Sequence, residues 1–126
     1  MKTIIKTDNA PAPIGPYNQA TICNGTLYVS GQIAIDPDSG ELIMDSIEAE
    51  THQVLKNLKA IVEAAGMTLK HVCKCEVFVS DMELFGRINA VYNEYFNAEN
   101  APARALVQVS NLPKYVNVEI SCIACK

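Results

Sequence analysis

No apolar run in this 126-residue chain approaches the roughly 20 residues that a membrane-spanning helix needs. The start, Met1-Lys2-Thr3-Ile4-Ile5-Lys6, lacks an apolar core followed by a small-residue cleavage site, so no secretory signal is expected. Basic residues are in deficit, ten Lys and Arg against fourteen Asp and Glu, for a net charge of -4. That balance disfavours nucleic acid or an anionic membrane as the main partner, because phosphate binding wants a basic patch. There is no Gly-rich phosphate loop, no serine nucleophile elbow and no zinc signature. Five cysteines, an odd number without an export signal, read as reduced thiols in a cytoplasmic protein. Cys122-Ile123-Ala124-Cys125 has the spacing of a metal or redox pair, but on a strand its thiols point to opposite faces and no βα turn follows. Cys73-Lys74-Cys75 puts two thiols on one strand face, the apolar one, as core residues. His52 and His71 have no partner at metal-ligand spacing, so no metal is expected.

What is present is one ordinary globular domain, residues 1–126, large enough to bury about two-thirds of its unfolded surface without staples. Lys2 to Thr7 reads as a short strand. The stretch Asn9-Ala10-Pro11-Ala12-Pro13-Ile14-Gly15-Pro16-Tyr17 is too proline-rich for helix or central strand. It reads as a stiff loop, either covering a sheet edge or holding Tyr17 in place. Asn24-Gly25 between apolar runs predicts a hairpin of Gln19 to Cys23 with Thr26 to Ser30, closed by Ser30-Gly31. Asp36-Pro37-Asp38-Ser39-Gly40 is a tight turn. A helix begins at Asp45 or Ser46, with Asp45 and Glu48 spaced as a capping box. Ile47, Thr51, Val54, Leu55, Leu58, Ile61, Val62 and Ala65 form its buried stripe, and Gly66 ends it. Val72 to Ser80 reads as strand, with Cys73, Cys75, Val77 and Val79 on one face. Asp81 caps a second helix with Phe85, Ile88, Tyr92, Tyr95 and Phe96 inward.

The last two strands carry the sharpest feature. In Arg104 to Val109 one face holds Arg104, Leu106 and Gln108; in Asn117 to Ala124 one face holds Asn117, Glu119, Ser121 and Ile123. Asn111-Leu112-Pro113-Lys114 supplies a turn. Paired as a hairpin with apolar faces together, the two strands put Arg104 and Glu119 on one sheet face, within diagonal reach. The order β, β-hairpin, α, β, α, β-hairpin predicts an α+β fold, two helices covering one face of a mixed sheet. The other face would carry Arg104, Leu106, Glu119 and Ile123. A half-apolar, uncovered face of that kind implies homo-oligomerisation. An arginine among small apolar residues wants a carboxylate. Two readings stay open: a structural salt bridge to Glu119, or a grip on a substrate carboxylate with Glu119 handling a proton or a water. Asn89 lies at the border of the second helix's apolar stripe. It reads as a boundary amide, and Tyr17 as a packing aromatic with a usable hydroxyl.

Several motifs, in order, resemble one family. Ile14-Gly15-Pro16-Tyr17, Val29-Ser30-Gly31-Gln32, Val62-Glu63-Ala64-Ala65-Gly66, Val77-Phe78-Val79-Ser80-Asp81, Pro102-Ala103-Arg104 and Leu112-Pro113 through Val118-Glu119-Ile120 resemble those of the RidA/YjgF family of enamine/imine deaminases. The closing motif is the most specific. The resemblance implies a chorismate-mutase-like domain, two helices on a six-stranded sheet, in a homotrimer with sites in clefts between subunits. It implies hydrolysis of 2-imino acids such as 2-iminopropanoate and 2-iminobutanoate to 2-keto acids and ammonia, without cofactor or metal. Carried over by position, Arg104 would bind the substrate carboxylate and Glu119 would orient or activate the water and manage its protons. Tyr17, Ser30, Gly31 and Asn89 would line the pocket, with the Gly31 backbone bonding the imine nitrogen.

Two positions depart from the pattern. Leu106 stands where many members have cysteine, and Ala101 replaces a larger side chain before Pro102, which opens the rim. Either the cysteine is dispensable for hydrolysis or this chain has another substrate. The competing functions are an endoribonuclease or translation inhibitor and a non-catalytic, chaperone-like binder of 2-keto acids. The acidic balance and the lack of a basic stripe interleaved with aromatics weigh against the nucleic-acid class.

Overall fold

Asn24 and Gly25 both take positive φ, 51° and 79°, the left-handed pair that a tight two-residue hairpin turn requires. They join the first long antiparallel pair in a computed structural model that describes all 126 residues, Met1–Lys126. The strands are β1 (Thr3–Ile5), β2 (Ala20–Cys23), β3 (Thr26–Gln32), β4 (Val72–Val79), β5 (Ala103–Gln108) and β6 (Val118–Cys125); the helices are α1 (Ile47–Ala64) and α2 (Phe85–Tyr95). They form one mixed sheet in the order β1-β2-β3-β6-β4-β5, with β4 and β5 parallel and every other neighbour antiparallel. Both helices pack on one face, as the hydrophobic stripes predict. Val54, Leu55, Leu58, Ile61 and Val62 of α1 and Ile88, Val91 and Tyr92 of α2 meet Leu27, Val77, Val79, Val118 and Ile120 in one buried cluster. No helix is long and apolar enough to cross a membrane.

Ser46, not an Asp45–Glu48 box, caps α1: its hydroxyl accepts from the Ala49 N–H at 3.0 Å. Glu48 is instead claimed by Arg87 of α2, whose Nε and Nη2 donate to its two oxygens at 2.8 and 2.7 Å. Gly66, at φ 78°, terminates the helix as expected. Asp81 caps a short 3-10 turn, Met82–Leu84, that leads into α2, by accepting from the Glu83 N–H.

The closing hairpin does not form. Strand β5 leaves α2 and returns beside β4 in parallel, Cys75 opposite Arg104, while β6 lies on the other side of β4, Cys75 opposite Cys122. A strand–helix–strand connection can cross over and return parallel, which a direct hairpin cannot. The long alternating β6 takes the central position between β3 and β4, where both of its edges are hydrogen-bonded. This changes which residues share a face. Arg104 and Leu106 fall in register with Cys75 and Val77 and so point to the helix-covered side; Ala105 and Val107 point to the open side. Glu119 is opposite Phe78, on the open side with Ile123. Arg104 and Glu119 are therefore on opposite faces.

Smaller departures have local causes. An irregularity between Val72 and Lys74 turns Cys73 out of the apolar face, so it is exposed while Cys75 is fully buried. Phe85 is 39 % exposed rather than inward. The first strand spans only Thr3–Ile5, and β4 stops before Ser80.

Gly66 has nothing within 4 Å of where a Cβ would stand, so the cost of a side chain there is conformational alone. Gly66→Ala is expected to destabilise the protein by about 1 kcal/mol through the positive φ. The midpoint of urea unfolding measures it.

Candidate active site in two halves

Four of the sequence-predicted residues, Tyr17, Ser30, Gly31 and Glu119, line one cavity of about 390 Å³. Its remaining walls are mostly the proline loop, Ile33, Ile35 and Pro113. Strand β3 is irregular here: between Val29 and Gln32 two residues, Ser30 and Gly31, face a single residue of β6. Such a bulge re-aims backbone and side chains beside a site. Ser30 is tied down from both ends, its N–H donating to the Gln19 carbonyl at 2.9 Å and its hydroxyl to the Asn18 carbonyl at 2.6 Å. Gly31 allows a close approach. A Cβ there would stand 2.7 Å from Oε2 of Glu119 and 2.8 Å from its Cδ, so the carboxyl group lies directly against the Gly31 backbone.

Glu119 is half-buried, and burial holds its carboxyl above the ordinary carboxylate range. It belongs to none of the three ion pairs in the chain. Tyr17 is braced by the proline loop, its hydroxyl accepting from the Ile14 N–H at 3.3 Å. The loop itself hangs on the buried Gln19. That amide donates to the carbonyls of Thr7, Ala10 and Pro11 and accepts from the Thr7 N–H.

Two more buried polar groups on α1 hold the cavity walls. Asn57 donates to the Ile33 and Ile35 carbonyls at 3.1 and 2.9 Å, which fixes the chain after β3. Glu50, fully buried, accepts from Asn117 N–H at 2.8 Å, Asn117 Nδ2 at 2.9 Å and Val118 N–H at 3.2 Å, which fixes the start of β6 one residue before Glu119. Hydrophobic periodicity passes over Gln19, Glu50 and Asn57. The available signal is that Glu50 and Asn57 fall at apolar-stripe positions of α1, in step with Val54 and Ile61. A polar residue there must be answered by buried partners.

The other two predicted residues, Arg104 and Asn89, meet elsewhere. Nη1 of Arg104 donates to Oδ1 of Asn89 at 2.9 Å. The guanidinium carbon lies 4.7 Å from the Tyr92 ring centroid and 5.8 Å from that of Phe85. This second cavity, about 350 Å³, is bounded by Asn89, Tyr92, Asn93, Phe96, Ala101 and Arg104 among others, and shares no residue with the first. The chain has two arginines. Arg87 has its fork filled by Glu48, whereas Arg104 spends one N–H on Asn89 and meets no carboxylate. The salt-bridge reading of Arg104 and Glu119 is therefore overturned. No group of three or more His, Cys, Asp or Glu side chains is placed to hold a metal ion. Cys75 and Cys122 are buried opposite each other, and burial pushes both thiols up.

A small α+β domain of two helices on a mixed sheet, with a free carboxyl in one cleft and a free guanidinium in another, is the class that fold and site define. The family model described as endoribonuclease L-PSP matches residues 7–126, and the chain belongs to this family, that of RidA and YjgF. It is 52 % identical to a RutC family protein of Pyrococcus horikoshii, covering 100 % of this chain and 99 % of that one. It is 45 % identical to the 2-iminobutanoate/2-iminopropanoate deaminase of Rattus norvegicus, over 98 % of this chain and 90 % of that one. The crystal structure of E. coli TdcF with bound serine superposes with a TM-score of 0.93 at 40 % identity, covering 98 % of each chain.

The raised Glu119 pKa has a stability consequence. A carboxyl whose folded pKa lies above its unfolded value costs stability once both states are ionised, and costs none below the unfolded pKa. Glu119→Gln is therefore expected to raise Tm at about pH 8, with the gain fading by about pH 4, below the ordinary carboxylate range. Thermal unfolding monitored by circular dichroism across pH reads this directly.

Proposed function

We propose that this protein hydrolyses short 2-imino acids, of the 2-iminopropanoate and 2-iminobutanoate type, to 2-keto acids and ammonia, at a site completed by a second copy of the chain. The observation that carries the reading is the separation of the two functional groups. Arg104 and Glu119 are on opposite sheet faces and two strands apart, about 10 Å across the sheet. A three- or four-carbon acid does not span them within one chain, yet each is unpaired and lines its own cleft. Joining the Glu119 cleft of one copy to the Arg104 cleft of another supplies both ends of the substrate site. The open sheet face, with Tyr28 and Val107 48 % and 47 % exposed, offers the apolar surface for such an assembly. A chorismate-mutase-like trimer is the closed arrangement the family resemblance supplies.

In this site the open fork of Arg104 takes the substrate carboxylate, and Asn89 accepts from one of its nitrogens. The Gly31 backbone and Tyr17 border the imine nitrogen and the water. The imine is already an electrophile, so positioning beside one water supplies most of what is needed. Glu119 accepts a proton as the water oxygen bonds to the imine carbon. From the iminium form of the substrate this gives a neutral carbinolamine, which then collapses: Glu119 returns its proton to the nitrogen, the C–N bond breaks to release ammonia, and the hydroxyl proton passes to the Glu119 carboxylate as the carbonyl forms. A carboxyl raised by burial suits both directions of transfer. The named activity of the rat relative and the serine held by the E. coli relative both support a small amino-acid-like substrate with a carboxylate. The ribonuclease reading draws on the family description, and the net charge of -4 weighs against it. RNA cleavage by highly purified protein, lost on one substitution, would replace the deaminase reading.

The test adds purified protein to a threonine or serine dehydratase and follows keto-acid release against the uncatalysed rate. Arg104→Ala and Glu119→Gln should each abolish the acceleration. Co-assembled from equal amounts of the two variants, about a quarter of the sites should regain both groups, and activity should return to that level. No recovery would refute a shared site; full activity in Arg104→Ala would refute the role of Arg104. Binding of 2-keto acids without turnover would move the protein to the binding class.

Gly31→Ala separates site from fold. The new methyl group would stand 2.7 Å from Oε2, 2.8 Å from Cδ and 3.1 Å from Cγ of Glu119, all side-chain atoms, so the carboxyl must swing away while the backbone pairing is kept. The expected outcome is a loss of at least about 100-fold in kcat/KM from the misplaced carboxyl, with Tm close to that of the parent protein.

A further inference from the structure

Arg104 sits on an edge strand, between the exposed Ala103 and Ala105, with one neutral hydrogen bond to Asn89. A single bond to one nitrogen leaves a long side chain free to swing about it. What restrains the plane of the guanidinium is the Tyr92 ring, 4.7 Å beneath its central carbon and itself only 4 % exposed. Phe96, 3 % exposed and the first residue past α2, braces that ring, the two centroids 4.9 Å apart. The Tyr92 hydroxyl is buried without a hydrogen-bond partner. Burial raises its pKa strongly, so it stays neutral. The hydroxyl thus does nothing for Arg104 that the geometry records, while the ring does.

We infer that Tyr92 is a positioning residue for substrate binding: its ring face, not its hydroxyl, holds the Arg104 guanidinium so that its free N–H fork points at the incoming carboxylate. The inference deepens the deaminase reading and rests on it. A flat aromatic support fixes the guanidinium plane, and the edge carrying the remaining N–H groups is left for a planar carboxylate. The substrate carboxylate is unchanged by the reaction, so a loss of support weakens ground-state and transition-state binding alike. The effect belongs in KM rather than kcat.

The experiment compares Tyr92→Phe with Tyr92→Leu by two readouts. In the imine assay, Y92F should keep KM within about 2-fold, and Y92L should raise KM about 10-fold with kcat within about 3-fold. In proton–nitrogen NMR spectra the chain's two arginines give two Nε signals, assigned by Arg87→Lys and Arg104→Lys. The Arg104 signal should be ring-shifted in the parent protein and in Y92F, and should move toward the free-arginine position in Y92L. Where Y92L does not fold, Tyr92→Met takes its place with the same expectations. Equal damage in Y92F and Y92L would overturn the inference, as would an unchanged KM in Y92L or an unshifted Arg104 signal in the parent protein. A parent protein that turns over no imino acid but shows the shifted signal, lost in Y92L, defeats the deaminase reading and leaves the ring-on-guanidinium geometry established.

Discussion

A chain that leaves a strand through a helix can come back parallel to it, and that constraint sets everything that matters in this protein. Because α2 stands between β4 and β5, the two strands run side by side in parallel, and β5 ends at the sheet edge. The final strand is then free to enter the middle of the sheet, between β3 and β4. Register follows from pairing, and facing follows from register, since successive side chains alternate. Arg104 is thereby turned toward the helices and Glu119 away from them. No local adjustment of either side chain changes this. On the proposed reading, one small substrate meets both where two copies bring opposite faces together. The shared site proposed above is in that sense a consequence of topology before it is one of chemistry.

The Glu119 half is held from behind by polar groups in a place where apolar ones are the rule. Gln19, Asn57 and Glu50 are each at most 3 % exposed, and their hydrogen bonds hold the segments that lead into the cavity: the proline loop, the chain after β3 and the start of β6. Buried polar groups cost stability unless every partner is supplied, and here the partners are supplied by loops that would otherwise have no reason to stay put. A floor of leucines would pack as densely without specifying where Ile33, Ser30 or Val118 must lie. The Gly31–Glu119 approach shows what that specification achieves: a carboxyl group placed against backbone at a distance a side chain on Gly31 would forbid. Desolvation of that carboxyl follows from the same placement, so the raised proton affinity and the close approach have one origin.

What could be read from the sequence divides along the range of the interactions involved. Both helices, the Asn24-Gly25 hairpin, the Gly66 stop and the single helix-covered face rest on short-range patterns, and all are present. The six-stranded sheet with two helices agrees with what the resemblance implied. The pairing of β5 with β4 rather than β6 is a contact between segments far apart in the chain. Alternation alone is silent on it, because either partner satisfies the pattern. The expected shared face of Arg104 and Glu119 fails at that one pairing: both strands alternate as predicted, but β5 and β6 are not neighbours. Of the six site residues, Tyr17, Ser30, Gly31 and Glu119 gather in one cleft and Arg104 and Asn89 in the other. How they are shared between two surfaces required the topology. Tyr92 was legible only as a core aromatic, since nothing in its spacing announces an arginine lying on its face.

Leu106 bears on which chemistry the assembled site can perform. It follows Arg104 by two residues and therefore shares its face, half-buried and packed against the edge of the main core. A leucine there offers no lone pair, no proton and no site for oxidation. The thiols do not replace it. Cys75 and Cys122 are buried with raised pKa values, and Cys23, Cys73 and Cys125 line neither cleft. A covalent thiol route therefore has no residue to run through. What remains is a guanidinium that can hold an anion, a carboxyl tuned by burial and a polar backbone at a bulge. That set suits a substrate that needs only a positioned water and a place for two protons. An imine is such a substrate; an amide or an ester, with a poorer electrophile and an oxyanion to stabilise, would demand donors beyond those this cleft is seen to hold. Leucine at position 106 is thus compatible with the hydrolysis proposed above, which asks nothing of a thiol.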